Sequence, residues 1–144
     1  MLASCASKDK KTTEIACPKT YISSEHQKYF FSENNDYEDI SYLLTINNFK
    51  NICKLEAKEN ISSILDILFV IKPLKGEVKE FEFYYFVSIL DSSDKILDYQ
   101  IFDVNNKFNI DENKLPKDTE TINTLDQYFP IKNNNSYQIV IGLV

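Results

Sequence analysis

Arginine and tryptophan are absent from this chain of 144 residues, which has only two glycines, four prolines and one histidine. All sixteen basic residues are therefore lysines, and with 22 acidic residues they give a formal net charge of −6. Arginine is the side chain best suited to pair with phosphates and base edges, and an acidic surface repels a phosphate backbone. The composition therefore argues against nucleic-acid binding and against a glycine-rich phosphate-binding loop.

Catalytic signatures are missing as well. The sequence contains no Gly-x-Ser-x-Gly, His-Glu-x-x-His or Cys-x-x-Cys motif. A serine-histidine-aspartate triad would have to use His26, which lies in the polar stretch 24–28 and is expected to be a solvated surface residue. The oxygen-rich stretches 33–39 and 103–111 lack the spacing and the turn glycine of an EF-hand, so they predict solvated loops. We therefore predict no enzyme, no cofactor and no metal site.

The first residues carry the most specific pattern. Leu2-Ala3-Ser4-Cys5 resembles the lipobox of bacterial lipoproteins, which is a leucine, two small residues and the cysteine that becomes the mature N-terminus. The resemblance implies that Cys5 carries diacylglycerol and that cleavage falls between Ser4 and Cys5. Residues 1–4 are then the remnant of a signal peptide whose basic and apolar regions are not in the sequence, and we expect an upstream start or a trimmed chain.

A polar stretch follows the lipobox. We assign 5–16 to the lipidated cysteine and a flexible tether, because this stretch shows no apolar periodicity. The nine residues 6–14 reach about 30 Å when fully extended, which is enough to hold a domain clear of lipid headgroups. Ala6 is not the aspartate that retains lipoproteins at the inner membrane in well-studied enterobacteria. The resemblance therefore favours the periplasmic side of the outer membrane over that of the inner membrane, with the lipid as the membrane contact.

With Cys5 acylated, Cys17 and Cys53 remain as a pair. Two such thiols in an oxidising periplasm predict a disulfide. The closed loop of about 37 residues corresponds to roughly 3 to 4 kcal/mol in the chain-entropy description. The alternative is two unconnected buried thiols. A metal site has less support, because the spacing is not Cys-x-x-Cys and His26 alone does not complete a soft-ligand set.

Apolar residues alternate with polar ones repeatedly after Pro18, which predicts strands and a single domain over 17–144. Asn47-Asn48 predicts a turn between two of the strands. The predicted strands span 19–23, 40–46, 52–57, 61–74, 80–90, 95–104, 119–129 and 137–144. Seven or eight strands with little helix predict an all-β fold, an antiparallel immunoglobulin-like β-sandwich. A small closed β-barrel is the alternative.

The segment 85–97 (YFVSILDSSDKIL), together with the cysteine pair, resembles small uncharacterised proteobacterial lipoproteins with a β-sandwich domain. The leading hypothesis is a lipid-anchored, non-enzymatic protein that binds or assembles with another envelope protein. The alternative is a carrier that encloses a hydrophobic ligand. The aromatic run 81–86 favours a central core strand buried on both sides over a ligand groove. Exposed strand edges are the most general binding surface of such a fold.

Overall fold

The computed structural model describes residues 12–34, 38–56, 60–130 and 137–144. These residues form nine strands and one short 3-10 helix, Ser24–His26. The strands are β1 Thr12–Ile15, β2 Lys19–Ile22, β3 Lys28–Ser32, β4 Ile40–Glu56, β5 Asn60–Pro73, β6 Glu80–Leu90, β7 Ile96–Lys107, β8 Thr119–Pro130 and β9 Gln138–Leu143. Within those ranges no helix is long and apolar enough to cross a membrane.

The strands form two sheets that pack face to face. Sheet I has the order β1-β4-β5-β8, and β3 also pairs with β4, while sheet II has the order β2-β9-β6-β7. β5 beside β8 and β6 beside β9 reproduce the central strand pairs of an immunoglobulin sandwich, so the predicted fold is confirmed. No ladder joins the two sheets in the described part of the chain, so the closed barrel is not formed. The pair β2 and β9 is parallel, which departs from the predicted antiparallel sandwich, whereas the other pairs are antiparallel.

The predicted strands at 61–74, 80–90, 119–129 and 137–144 agree with the structure within one residue at each end. The structure has two further strands, β1 and β3. β1 pairs with the second half of β4, so the sheet begins inside the stretch 5–16 that was predicted to be tether. β3, which contains the aromatic residues 29–31, pairs with the first half of β4 and is the second strand that was not predicted.

Strand β4 runs straight through the predicted turn at Asn47-Asn48, so that prediction is wrong. The register with β5 shifts between Ile46 and Asn48, which is a β-bulge. A single extra residue reverses the face to which the following side chains point. Ile46 before the bulge and Cys53 after it are therefore both buried, although they occupy opposite phases of the alternation.

Apolar side chains from both sheets fill the interior. Phe69 of β5 lies at its centre, with its ring 4.9 Å from that of Phe83 and 5.0 Å from that of Tyr85 on β6. The hydroxyl of Tyr85 donates to Asn123 Oδ1 on β8, and burial raises the pKa of this tyrosine. Fully buried members of the core include Leu44, Ile46, Ile61, Leu65, Ile67, Phe69, Ile71, Val87, Ile139 and Ile141.

The predicted disulfide between Cys17 and Cys53 is present, and it holds the link where the chain passes from sheet I to sheet II. Cys17 lies in the link between β1 of sheet I and β2 of sheet II, whereas Cys53 lies on β4 of sheet I, and their Cα atoms are 5.2 Å apart. Asn51 of β4 links the sheets directly, because its Nδ2 donates to Thr20 Oγ1 of β2 at 3.1 Å. Asn51 Oδ1 also accepts a hydrogen bond from Ser63 Oγ of β5 at 2.5 Å. This end of the sandwich is therefore held by one covalent bond and a hydrogen-bonded network.

Two tight turns use the same aspartate-capped geometry. Asp91 Oδ1 accepts backbone N–H bonds two and four residues along the chain, and Asp111 Oδ1 does the same. The third residue after each aspartate has a positive φ, 63° at Asp94 and 62° at Lys114. Aspartate tolerates the left-handed region better than most residues because its short polar side chain bonds locally, whereas lysine has no such advantage.

Replacing Lys114 with glycine is expected to raise the free energy of unfolding by about 0.5 to 1 kcal/mol, because glycine adopts a positive φ without steric strain. Asp94→Gly is the matched control and should gain less. Urea unfolding followed by circular dichroism measures both changes. A lower midpoint for Lys114→Gly than for the unchanged protein would show that the lysine side chain contributes contacts that outweigh the backbone strain.

Candidate functional site

An open cleft of about 780 Å³ lies at one end of the sandwich, where β3 and the first half of β4 face the first half of β6. Aromatic side chains form much of its floor, and these are Tyr29, Phe31, Tyr42, Phe81, Phe83 and Tyr84. Charged side chains surround them, and these are Glu33, Lys75, Glu77, Lys79, Glu80, Glu82 and Lys107. The cleft therefore joins an aromatic floor to a rim of mixed charge.

The cleft lies where β6 and β7 continue without β9 beside them. β9 pairs with β6 only over 85–90, and the next contact is a hydrogen bond of 3.1 Å from Val144 N to Tyr84 O. Among the described residues, the stretch 80–83 of β6 has β7 on one side and no strand on the other. The facing strands β3 and β4 continue past this point, so their inward side chains meet an open space.

Tyr42 occupies the unpaired edge of β6 with its side chain. Its hydroxyl donates to Glu82 O at 2.8 Å and accepts from Glu82 N at 3.2 Å. The ring of Phe31 stacks on the Tyr42 ring at 4.7 Å and holds it in place. Burial raises the pKa of Tyr42, and the hydrogen bond to Glu82 offsets only part of that effect. The neutral hydroxyl thus forms hydrogen bonds with both the N–H and the C=O of Glu82, two groups that would otherwise pair with a neighbouring strand.

The stretches 33–39 and 103–111 were predicted to be solvated loops, and for 103–107 this prediction is wrong because these residues belong to β7. Asn34 Nδ2 donates to Asp39 Oδ2 at 3.2 Å, and Asp39 also forms an ion pair with Lys75. Asp111 caps its own turn, and Asn105 lies in β7 at the cleft. No group of three or more histidine, cysteine, aspartate or glutamate residues suited to a metal ion occurs within the described ranges.

The aromatic run of β6 divides between the two faces of sheet II. Phe81, Phe83 and Tyr85 are buried between the sheets, whereas Tyr84 is exposed and Phe86 is half-buried on the outer face. The prediction of a core strand is therefore right for one face and wrong for the other. The competing prediction of a groove lining also has support, because Phe81, Phe83 and Tyr84 line the end cleft.

The outer face of sheet II carries an aromatic cluster. Phe86 stacks on Tyr99 at 5.4 Å, and His26 meets the edge of the Phe86 ring at 5.7 Å. A Cβ atom at Gly142 would lie 2.5 Å from the Phe86 ring, so the glycine gives this ring its place. His26 is exposed, as predicted. Its role here is packing next to Phe86.

The predicted lipidation residue Cys5 lies outside the described residues. The disulfide residues Cys17 and Cys53 lie at the opposite end of β4 from the cleft. Sequence reasoning missed Tyr42 as a site residue, although Tyr42 lies in the predicted strand 40–46. Nothing in the local pattern reveals its contact, because Glu82 is forty residues away and belongs to the other sheet.

Comparison with known protein families, with curated proteins and with solved structures finds no match.

Proposed function

We propose that this chain is a lipid-anchored, non-enzymatic binding module of the bacterial cell envelope. Cys5 attaches it to the periplasmic side of a membrane, the outer rather than the inner one, and the end cleft receives another envelope protein. The observation that carries this proposal is the cleft itself, an aromatic-floored opening of about 780 Å³ beside an unpaired strand edge. Strand edges accept partner strands through backbone hydrogen bonds, and aromatic residues are enriched in protein interfaces.

The disulfide supports the compartment. Disulfides persist in oxidising compartments such as the bacterial periplasm and are rare in the cytosol. The chain has three cysteines, and the Cys17–Cys53 bridge uses two of them. Cys5 is then the single remaining thiol, in the position that the lipobox resemblance assigns to the acyl chain.

The position of the cleft suits a protein held by its N-terminus. The described chain enters sheet I at Thr12, which pairs with Glu56 at the far end of β4. The cleft lies beside Tyr42, near the start of the same strand of 17 residues. The cleft therefore lies at the end of β4 opposite the entry of the tether, which favours access by a partner when the protein is held at Cys5.

A carrier of a hydrophobic ligand has less support. The space between the sheets is filled by a continuous cluster of apolar side chains in the described residues. The cleft is open to solvent and has charged residues around it, whereas a carrier encloses its ligand in a mostly apolar cavity.

Labelling with an alkyne fatty acid tests the anchor. The gene is expressed with its upstream region in a bacterial host, and the label incorporated into the purified protein is measured. We expect incorporation in the unchanged protein and none in Cys5→Ala. Label that persists in Cys5→Ala would disprove acylation at this thiol.

Photo-cross-linking in cells tests the binding function. A photoreactive amino acid replaces Glu77 on the cleft rim or, as a control, Ser92 in the turn at the other end of β6. We expect adducts with envelope proteins from position 77 and not from position 92. Equal adducts from both positions would contradict a specific role for the cleft.

A further inference from the structure

The edge of β6 that faces away from β7 is unpaired over 80–83 in the described part of the chain, and the end cleft lies beside it. We call the part of the cleft along this edge the slot. We propose that an extended segment of a partner protein enters this slot as an additional strand of sheet II. This inference rests on the proposed binding function and names the class of partner.

The backbone of β6 defines how that strand pairs. The backbone N–H and C=O groups on one edge of a strand belong to every second residue. The hydrogen bond from Val144 N to Tyr84 O shows that the backbone groups of Tyr84 face the slot. The next residue that faces the slot is Glu82, whose N–H and C=O both bond to the Tyr42 hydroxyl. An incoming backbone replaces this hydroxyl with an ordinary pair of ladder hydrogen bonds. Tyr42 thus keeps the edge satisfied while the slot is empty.

The side chains of the slot define the sequence that fits it. Phe81 and Phe83 point inward between the sheets, so partner residues opposite them also point inward, towards Phe31 and Tyr29 of β3. The partner residue opposite Glu82 points to the outer face, which is exposed. We therefore expect a segment with apolar residues two positions apart and a polar residue between them.

The rim charges favour a polypeptide over a charged lipid or another polyanion. The three lysines of the lining, Lys75, Lys79 and Lys107, are outnumbered by four glutamates, Glu33, Glu77, Glu80 and Glu82. Lys75 is already paired with Asp39. An anionic ligand gains little from this mixture of charges, whereas a backbone gains directed hydrogen bonds at Glu82.

Selection from a phage-displayed library of random twelve-residue peptides tests the slot. The targets are the unchanged protein and Glu82→Pro, with correct folding checked by near-ultraviolet circular dichroism. Proline at this position removes the N–H that now bonds to Tyr42, and the β7 side of the strand keeps its bonds. We expect enrichment of peptides with alternating apolar residues, and an affinity for Glu82→Pro lower by about tenfold or more.

Tyr42→Phe is expected to change the peptide affinity in the opposite direction. The leading synthetic peptide should bind this variant about five- to thirtyfold more tightly, because no hydroxyl has to be displaced from Glu82. The amide of Glu82 should exchange with solvent faster in the free variant and become protected when the peptide binds. Tyr128→Phe, on the exposed face of β8, is the matched control and should leave the affinity unchanged.

Equal enrichment on the unchanged protein and on folded Glu82→Pro, or no enrichment at all, would overturn the strand-addition mechanism. Weaker peptide binding by Tyr42→Phe would also overturn it. If Glu82→Pro does not fold, the affinity of Tyr42→Phe and the hydrogen exchange of the Glu82 amide decide the question. Cross-links from position 77 in cells would then still support the proposed binding function with a partner that binds in another way. Loss of those cross-links as well would remove both proposals.

Discussion

Replacing Cys17 and Cys53 together with alanine is expected to lower the free energy of unfolding by roughly 3 to 4 kcal/mol. The bridge closes a loop with a sequence separation of 36 residues, and it fixes the link between β1 and β2 to β4. Its removal allows the unfolded chain many more conformations, and it also frees the start of β2 from β4. A loss of this size is a large part of the roughly 5 to 15 kcal/mol that stabilises a typical domain.

Urea unfolding of the double variant measures this effect against two controls. Reduction of the unchanged protein with dithiothreitol should produce the same shift, because it breaks the same bond. Cys5→Ala leaves the bridge intact and should unfold as the unchanged protein does. A double variant within 0.5 kcal/mol of the oxidised protein would mean that the bridge does not contribute to stability.

Phe69→Ala is expected to lower the free energy of unfolding by about 3 to 5 kcal/mol, the range for a large buried aromatic residue. Phe69 is 0% exposed, and its ring packs between those of Phe83 and Tyr85 on the opposite sheet. The truncation leaves a cavity where the two sheets meet. The loss therefore includes both the apolar transfer energy and the contacts of the surrounding rings.

Phe30→Ala is the matched control for this prediction. Phe30 carries the same side chain on β3, but it is 56% exposed on the outer face of sheet I. We expect a change within about 0.5 kcal/mol for this surface substitution. Similar losses for Phe30→Ala and Phe69→Ala in urea unfolding would contradict the position of the core between the two sheets.

The fold class could be predicted from the sequence because alternation marks strands directly. The segments that became β6 and β9 keep one phase of apolar alternation, so their limits agree with the structure within a residue. The limits of β8 also agree, although its apolar residues Ile122 and Tyr128 lie on the exposed face. The bulge in β4 could not be told from a turn, because both change the phase at Asn47-Asn48. β1 was missed because its four residues lie in a stretch whose composition resembles a tether.

The site could be predicted only in part. Phe81 and Phe83 stood out as members of an aromatic run, and the general readiness of strand edges to bind was clear from the fold class. The cleft depends on where β9 stops pairing with β6, which is a property of register and not of composition. The contact between Tyr42 and Glu82 depends on how the two sheets pack, so no local pattern announces it.

The intact mass of the protein after thiol alkylation tests the central claim most directly. Membrane and cytosolic fractions are treated with an alkylating reagent before and after reduction, and the masses are compared. We expect the protein in the membrane fraction, starting at Cys5 with a lipid attached, and two thiols that react only after reduction. An unlipidated protein in the cytosolic fraction with three thiols that react without reduction would contradict the account.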